Sequence, residues 1–582
     1  MAEEIATTVE LNTYSEPPTI ITEDEDGNTY VEVSSEEMKK LNLLYRKGFS
    51  NAVETLAPVE LKVSGELPAW LSGELYTVGP GIYDIKYNRM IESEGGGYES
   101  ATETFSMGHW FDALPFVNRF ELDGKNNKIK YRSRITSRKY ETKIRDHHGI
   151  VTKHPFTLFK THVNQTPLAK LFGQKRTDKP EMEPCSINIS TNFPFYKSGE
   201  KPKVFCQNHA SQVVELEAYD LSPSSVYSWD DINPLFRGNH ASPHPHYDEN
   251  TGELINFNME IQTLGTRYNF FSISENHQSG EFIASVSAKA SYVHSFAVVF
   301  PFYGKNAGIN VKWSDSILDS LSYKPEEPTI FYVISRVKKQ HIATYKSAPC
   351  FAFHHINAFE DDDDNLYLDI VCYDNTDICY DLSLENLRNG LVVELPLAEV
   401  RRFVLQNIQI ESVKFSKMPQ TTQLETLQNT VVSLFRNVSY QSIHPWPIAN
   451  YVRCADSTLE LPRINPKFHG LRYRYVYGIG LSAKAATQEG QIWDALIKCD
   501  LDTKEVVAMW VVENCYPSEP VFISAPGNDN NEDDGILLSV IFDGHNIKSY
   551  LVVLDAKTLL ELARIDLPQV IPLSFGHGSF KQ

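Results

Sequence analysis

The chain has 582 residues, 42% of them hydrophobic and 22% charged, a balance that suits a globular protein and confines disorder to its ends. A formal net charge of −21 and the lack of a long basic run exclude nucleic acid as a partner, because phosphate binding needs concentrated Lys and Arg. No stretch approaches the ~18 uncharged apolar residues of a membrane span, and the acidic start Met1-Ala-Glu-Glu-Ile lacks the order of a signal peptide.

Eight cysteines are scattered without a Cys-x-x-Cys pair, the pattern of buried reduced thiols in a cytoplasmic protein. Residues 1–55 are acidic and aperiodic, and they read as a flexible leader with one short helix near Glu36–Tyr45. The compact domain, 56–582, is announced by Gly65-Glu-Leu-Pro-Ala-Trp-Leu-Ser-Gly73 and Gly79-Pro-Gly81, where turn residues bracket short apolar pieces.

From there the chain alternates short β-branched and aromatic runs with Gly, Asn, Asp and Pro. Residues 253–261, 365–373 and 536–543 are examples. This density predicts an all-β, multi-sheet architecture of the propeller kind, inferred without any exact internal repeat. Two regions break the pattern. Residues 147–180 mix Phe159, Leu168, Leu171 and Phe172 with basic side chains, which fits an insertion packed on the core or an apolar patch with a basic rim dipping into a lipid surface. The acidic tracts 360–364 and 528–534 read as solvated turns, since they lack the EF-hand order.

Three internal histidines share a setting at the edge of a strand-like run: Pro243-His244-Pro-His246, Tyr292-Val-His294-Ser and Phe353-His354-His355-Ile-Asn. His577, in Phe575-Gly-His577-Gly, makes a fourth. Separations of about 50, 60 and 223 residues rule out a local zinc finger, whose ligands come in close pairs. Spacing alone leaves open whether the four meet at one ion or are unrelated.

Taken together these motifs, with Gly108-His-Trp-Phe-Asp112 and Tyr516-Pro-Ser-Glu519-Pro, resemble the carotenoid cleavage oxygenase family in a fungal-like form. The resemblance keeps the family's order from about residue 58 to the last residues. It implies a seven-bladed β-propeller with a helical or loop cap, and Fe(2+) on the axis held by His244, His294, His354 and His577. His246 and His355, beside ligands, are then structural. Outer partners carried over from the family are Glu460 and Glu519. Where many relatives place a third glutamate this chain reads Val204-Phe-Cys-Gln207-Asn208-His209, so Gln207 or Asn208 is expected to serve as a neutral partner. Ala113 stands where relatives usually have glycine, so that turn must tolerate a Cβ.

The implied activity is O2-dependent cleavage of a conjugated double bond of a lipophilic polyene, a carotenoid or apocarotenoid, into two carbonyl products. Being nearly insoluble in water, such a substrate implies that the enzyme, read above as cytoplasmic, makes peripheral membrane or lipid-droplet contact through 147–180. Two alternatives stand beside it. A stilbene-type cleaver of the same family would deprotonate a phenol with a Tyr and Lys pair, for which Lys139 is the candidate lysine, though no tyrosine lies just upstream of the 108–112 motif. A propeller that had lost its chemistry would be a scaffold, without reason to keep four ligand histidines.

Overall fold

The computed structural model describes residues 20–23, 29–32 and 43–582, except 93–96, 151–177, 195–200, 239, 249–250, 263–264, 290, 292, 299–301, 308–309, 312–320, 393–394, 418–445, 456, 488–489 and 528–530. Residues up to Leu43 form a unit of their own, in which Ile20–Glu23 pairs antiparallel with Thr29–Glu32. The second unit spans Leu44–Gln582. Residues 44–55, read from sequence as leader, therefore contribute to its core. Tyr45 and Phe49 explain this, since both are buried and meet Tyr516, Tyr83 and Trp110 edge to face. The expected helix near 36–45 falls mostly outside the described residues, and nearly all of 147–180 does too.

Among the described residues seven sheets carry four to six strands each. Most are meanders of consecutive strands. Glu460–Arg463, Tyr475–Gly480, Ala495–Asp500 and Glu505–Val511, for example, lie side by side in chain order. Their inner strands are buried on both faces, which is why they read as unbroken apolar runs. Every residue of Thr329–Ser335 is buried. Ile330, Tyr332 and Ile334 pack with Ile255, Phe257 and Phe270 of the preceding sheet, whereas Phe331 and Val333 pack with Leu366, Leu368 and Phe403 of the next.

The same division recurs along the chain. Val204 and Cys206 join Tyr76, Val78 and Val117 in one apolar layer, and Phe205 joins Phe271 and Ile273 in another. Sheets stacked face to face in chain order make a mainly β architecture, a β-propeller. The ring is closed at two adjacent sheets by interleaved distant segments. Val63–Gly65 pairs with Glu561–Asp566, and Gly578–Lys581 pairs with Ser72–Ile82. Pairing with distant segments in this way ties the start and the end of the second unit together at the seam.

Helical pieces are short. Asp377–Asp381 and Leu384–Asn389 are tied to the turn Trp110–Asp112 by the bridge His109 to Ser383 and by Leu384 N–H donating to Gly108 O at 3.0 Å. Ala113 closes that turn at φ −63°, so its Cβ brings no strain there. No helix among the described residues is long and apolar enough to cross a membrane.

Candidate metal centre

The four histidines singled out in the sequence come from four sheets and each stands just before an edge strand of its sheet. His244 precedes His246–Asp248, His294 precedes Ala297–Val298, His354 precedes His355–Glu360, and His577 precedes Gly578–Lys581. Their ligand atoms all lie within 4.8 Å of one another. Two serines lock neighbouring ligand segments together. Ser242 Oγ donates to His294 O at 2.9 Å and accepts from His244 N at 3.1 Å. Ser295 Oγ donates to Phe353 O at 2.7 Å and accepts from His355 N at 2.9 Å.

His577 reaches the group because residues 574–577 run unusually close to Ser72–Ile82. A Cβ on Gly576 would lie 1.9 Å from Val78 O, and one on Gly79 would lie 2.0 Å from Ser574 Oγ. Only glycine permits such an approach. The segment is then fixed by His577 N–H donating to Ile187 O at 2.8 Å and Val78 N–H donating to His577 O at 3.3 Å.

Behind the imidazoles stand partners that set their tautomers. His354 Nδ1 donates to Glu460 Oε2 at 2.7 Å, and His577 Nδ1 donates to Glu519 Oε1. Each ring therefore carries its proton on Nδ1 and turns an Nε2 lone pair inward. Both Nε2 atoms are buried and have no hydrogen-bond partner. Leu461, at φ 47° in the left-handed region, bends the chain so that its own N–H donates to Glu460 Oε2 at 2.9 Å. That strained turn is stored beside the site.

Burial pushes the Glu519 carboxyl up, but Arg463 and His577 overcome this and hold it at about 2. Arg463 Nη2 donates to Oε2 at 2.8 Å, while its Nε lies 2.7 Å from Oε1 in an ion pair without hydrogen-bond alignment. Burial drives His244, His294 and His577 toward the neutral form, and for the first two the neighbouring imidazoles add to it.

The donor set fits a divalent cation. His244 Nε2 and His294 Nε2 are 2.9 Å apart, about the separation of two ligands at right angles around an ion with metal–nitrogen bonds of ~2.0–2.1 Å. Lone pairs brought together without protons repel unless a cation lies between them, and the two orphaned Nε2 atoms have no other use. Four neutral imidazoles suit Fe, Zn, Cu or Ni.

The expected third outer partner is elsewhere than the sequence suggested. Gln207 ends the strand Lys203–Gln207, and its buried Oε1 has no hydrogen-bond partner. Asn208 is spent on the backbone, accepting from Ala210 N at 2.8 Å and donating to Pro184 O at 2.9 Å. The partner of His294 Nδ1 is His209 Nε2, at 3.0 Å. His209 is the residue after Asn208, past the turn that Asn208 makes with its own side chain.

Other expected residues have settled roles. His246 Nε2 donates to Phe296 O at 2.6 Å, and His355 Nδ1 donates to Ser295 Oγ at 2.8 Å. Lys139, the candidate lysine of the stilbene reading, is exposed on the helix Arg138–His147 and pairs with Glu181. Asp361 caps its own turn by accepting from Asp363 N and Asn365 N, as a solvated acidic loop does.

Comparison with known proteins agrees with this geometry. Residues 48–582 match the family described as retinal pigment epithelial membrane protein, RPE65. The chain is 26% identical to a carotenoid dioxygenase of Neurospora crassa, across 91% of this chain and 90% of that one. It is 26% identical to a torulene dioxygenase of Fusarium fujikuroi (91% and 92%) and 28% to a human beta,beta-carotene 15,15'-dioxygenase (91% and 93%). In fold it is similar to Synechocystis apocarotenoid oxygenase, with a TM-score of 0.68 at 18% identity over 93% of this chain and 98% of that one. A cobalt-substituted form of the same enzyme gives 0.67, with the same identity and coverage. A match through all but the first residues, together with four converging histidines, leads to one conclusion: the chain belongs to the RPE65 and carotenoid cleavage oxygenase family.

Proposed function

We propose that His244, His294, His354 and His577 bind Fe(II) and that the chain cleaves a conjugated double bond of a carotenoid or apocarotenoid with O2, giving two carbonyl products. The observation that carries this reading is the convergence of four imidazoles, two of them with orphaned Nε2 atoms backed by carboxylates. Relatives named for carotenoid and torulene cleavage support the substrate class. Ferrous iron, when bound, supplies O2 chemistry at positions that four protein ligands leave open.

The protein's own contribution is orientation and dryness. Glu460 and Glu519 fix two rings in the tautomer that ligates, and His209 does so for a third. Phe353 lies 5.8 Å from the His294 ring and meets Phe111 edge to face at 5.7 Å, and Phe111 in turn lies 4.2 Å from Phe575. These rings form an apolar wall beside His294, suited to a polyene and hostile to water. His244 is the least buried of the four.

Seven sheets of four to six strands support seven blades, and we read 56–582 as one oxygenase domain. Peripheral lipid contact through 147–180 remains part of the proposal because the substrate class is insoluble in water.

The test is incubation of iron-loaded protein with β-carotene, shorter apocarotenals and resveratrol under O2, with products identified by mass. Carbonyl fragments of a polyene are expected, and they should vanish in His294→Ala and His577→Ala with the fold retained. A fully iron-loaded protein that cleaves none of the polyenes would end the proposal.

A further inference from the structure

We infer that His209 sets the charge of the metal centre: as a neutral imidazole behind His294, where carboxylates stand behind His354 and His577, it removes one negative charge and thereby favours the ferrous over the ferric ion. This rests on the metal reading above and goes beyond it by giving His209 a role.

Metal ligation fixes its state. With a cation between His294 Nε2 and His244 Nε2, which lie 2.9 Å apart, the His294 proton sits on Nδ1 and is donated to His209 Nε2 at 3.0 Å. A nitrogen that accepts carries no proton, so His209 is neutral, with its own proton on Nδ1. Its position is built rather than incidental. His209 is buried, its carbonyl accepts from Ala241 N at 2.9 Å, and its ring stacks on His240 at 5.4 Å with 2° between the planes. His240 is itself buried and its Nε2 donates to Val293 O at 3.3 Å.

The charges around the four neutral imidazoles then differ from partner to partner. Glu519 is matched by Arg463, so that pair sums to zero. Glu460 is a carboxylate bonded to Tyr373, a neutral donor, in place of an arginine. His209 brings no charge. Only one of three outer partners thus delivers net negative charge, and a centre so sparsely compensated resists losing a further electron.

The experiment is anaerobic Fe(II) titration against a competing chelator, with the one-electron midpoint potential, on the full chain and on His209→Glu, His209→Gln and His209→Leu. His209→Glu should bind Fe(II) about 10–100-fold more tightly, and Gln, a neutral acceptor, should stay within about threefold, while Leu loses about 10–100-fold. A tenfold greater gain for the ferric than for the ferrous ion lowers the Glu variant's midpoint by about 60 mV. Affinity and midpoint of His209→Glu within about threefold, or about 30 mV, of the parent would overturn the inference. If the Glu variant does not fold, His209→Asp is read in its place, and an Fe(II) affinity and midpoint within the same limits of the parent overturn it. A parent chain that binds no Fe(II) sinks the metal reading and this inference together, whereas a parent that binds beside an unresponsive Glu variant sinks the inference alone.

Discussion

Tyr373 donates its phenolic proton to Glu460 Oε1 at 2.6 Å, and the other oxygen of that carboxylate takes the Nδ1 proton of His354 at 2.7 Å. The tyrosine, fully buried, therefore orients through Glu460 a candidate ligand, His354. Tyr373→Phe leaves one carboxylate oxygen buried without its donor, a cost of about 1–3 kcal/mol. Thermal unfolding should register that loss and chelator competition should show weaker Fe(II) binding. Unaltered metal affinity would mean that Leu461 N–H alone holds Glu460 in place.

Gly576→Ala should separate the ligand from its strand. Its Cβ would meet Val78 O at 1.9 Å, a backbone atom that cannot yield without moving the strand Ser72–Ile82. Overpacking of this kind costs about 1–3 kcal/mol. We expect metal content to fall further than stability does, since the displaced residue is next to His577. A variant with full iron content and turnover would show that the close approach is not needed.

Metal removal should loosen the propeller axis. The imidazoles are brought together with lone pairs inward, so a bound cation stabilises the folded state by mass action, about 2.7 kcal/mol at a free concentration 100 times Kd. Differential scanning calorimetry with and without chelator measures this. No shift in Tm between the two would argue against ligation by the folded protein.

Glu360 gives a pH dependence away from the metal. Burial, then the charge of Asp364, pushes its carboxyl up from 4.5 to about 7, and its Oε1 is buried without a partner. The folded state therefore holds this proton more tightly than the unfolded one. The associated stability is complete below about pH 4.5 and is lost as pH rises through about 7. Because the residue is only half-buried, solvent screening reduces the effect to about 1 kcal/mol. Glu360→Gln should flatten the stability profile between these pH values and raise Tm at pH 8. An unchanged slope would refute the shift.

Much of this molecule was legible before its structure. Short apolar runs broken by turn residues read as strands because many of the strands inside the sheets are buried on both faces, as Thr329–Ser335 is. The four histidines were legible only through the motifs around them, since their separations in sequence say nothing about an axis. His209 was not legible. Its strand stops at Gln207, Asn208 turns the chain through its own side-chain hydrogen bonds, and the contact to His294 joins residues 85 apart. The start of the compact unit was set too late for a similar reason, because Tyr45 and Phe49 find their aromatic partners hundreds of residues further on as well as nearby.

The seam of the ring has a consequence for biosynthesis. Ser574 and Val78 meet although they are 496 residues apart, and His577 arrives only with that contact. A nascent chain emerging from the ribosome can fold several sheets one after another, yet the four-histidine group is incomplete until residue 577 is available. On the proposed ligation, metal acquisition waits for that single late event, and a product interrupted before residue 577 lacks one of the four candidate ligands.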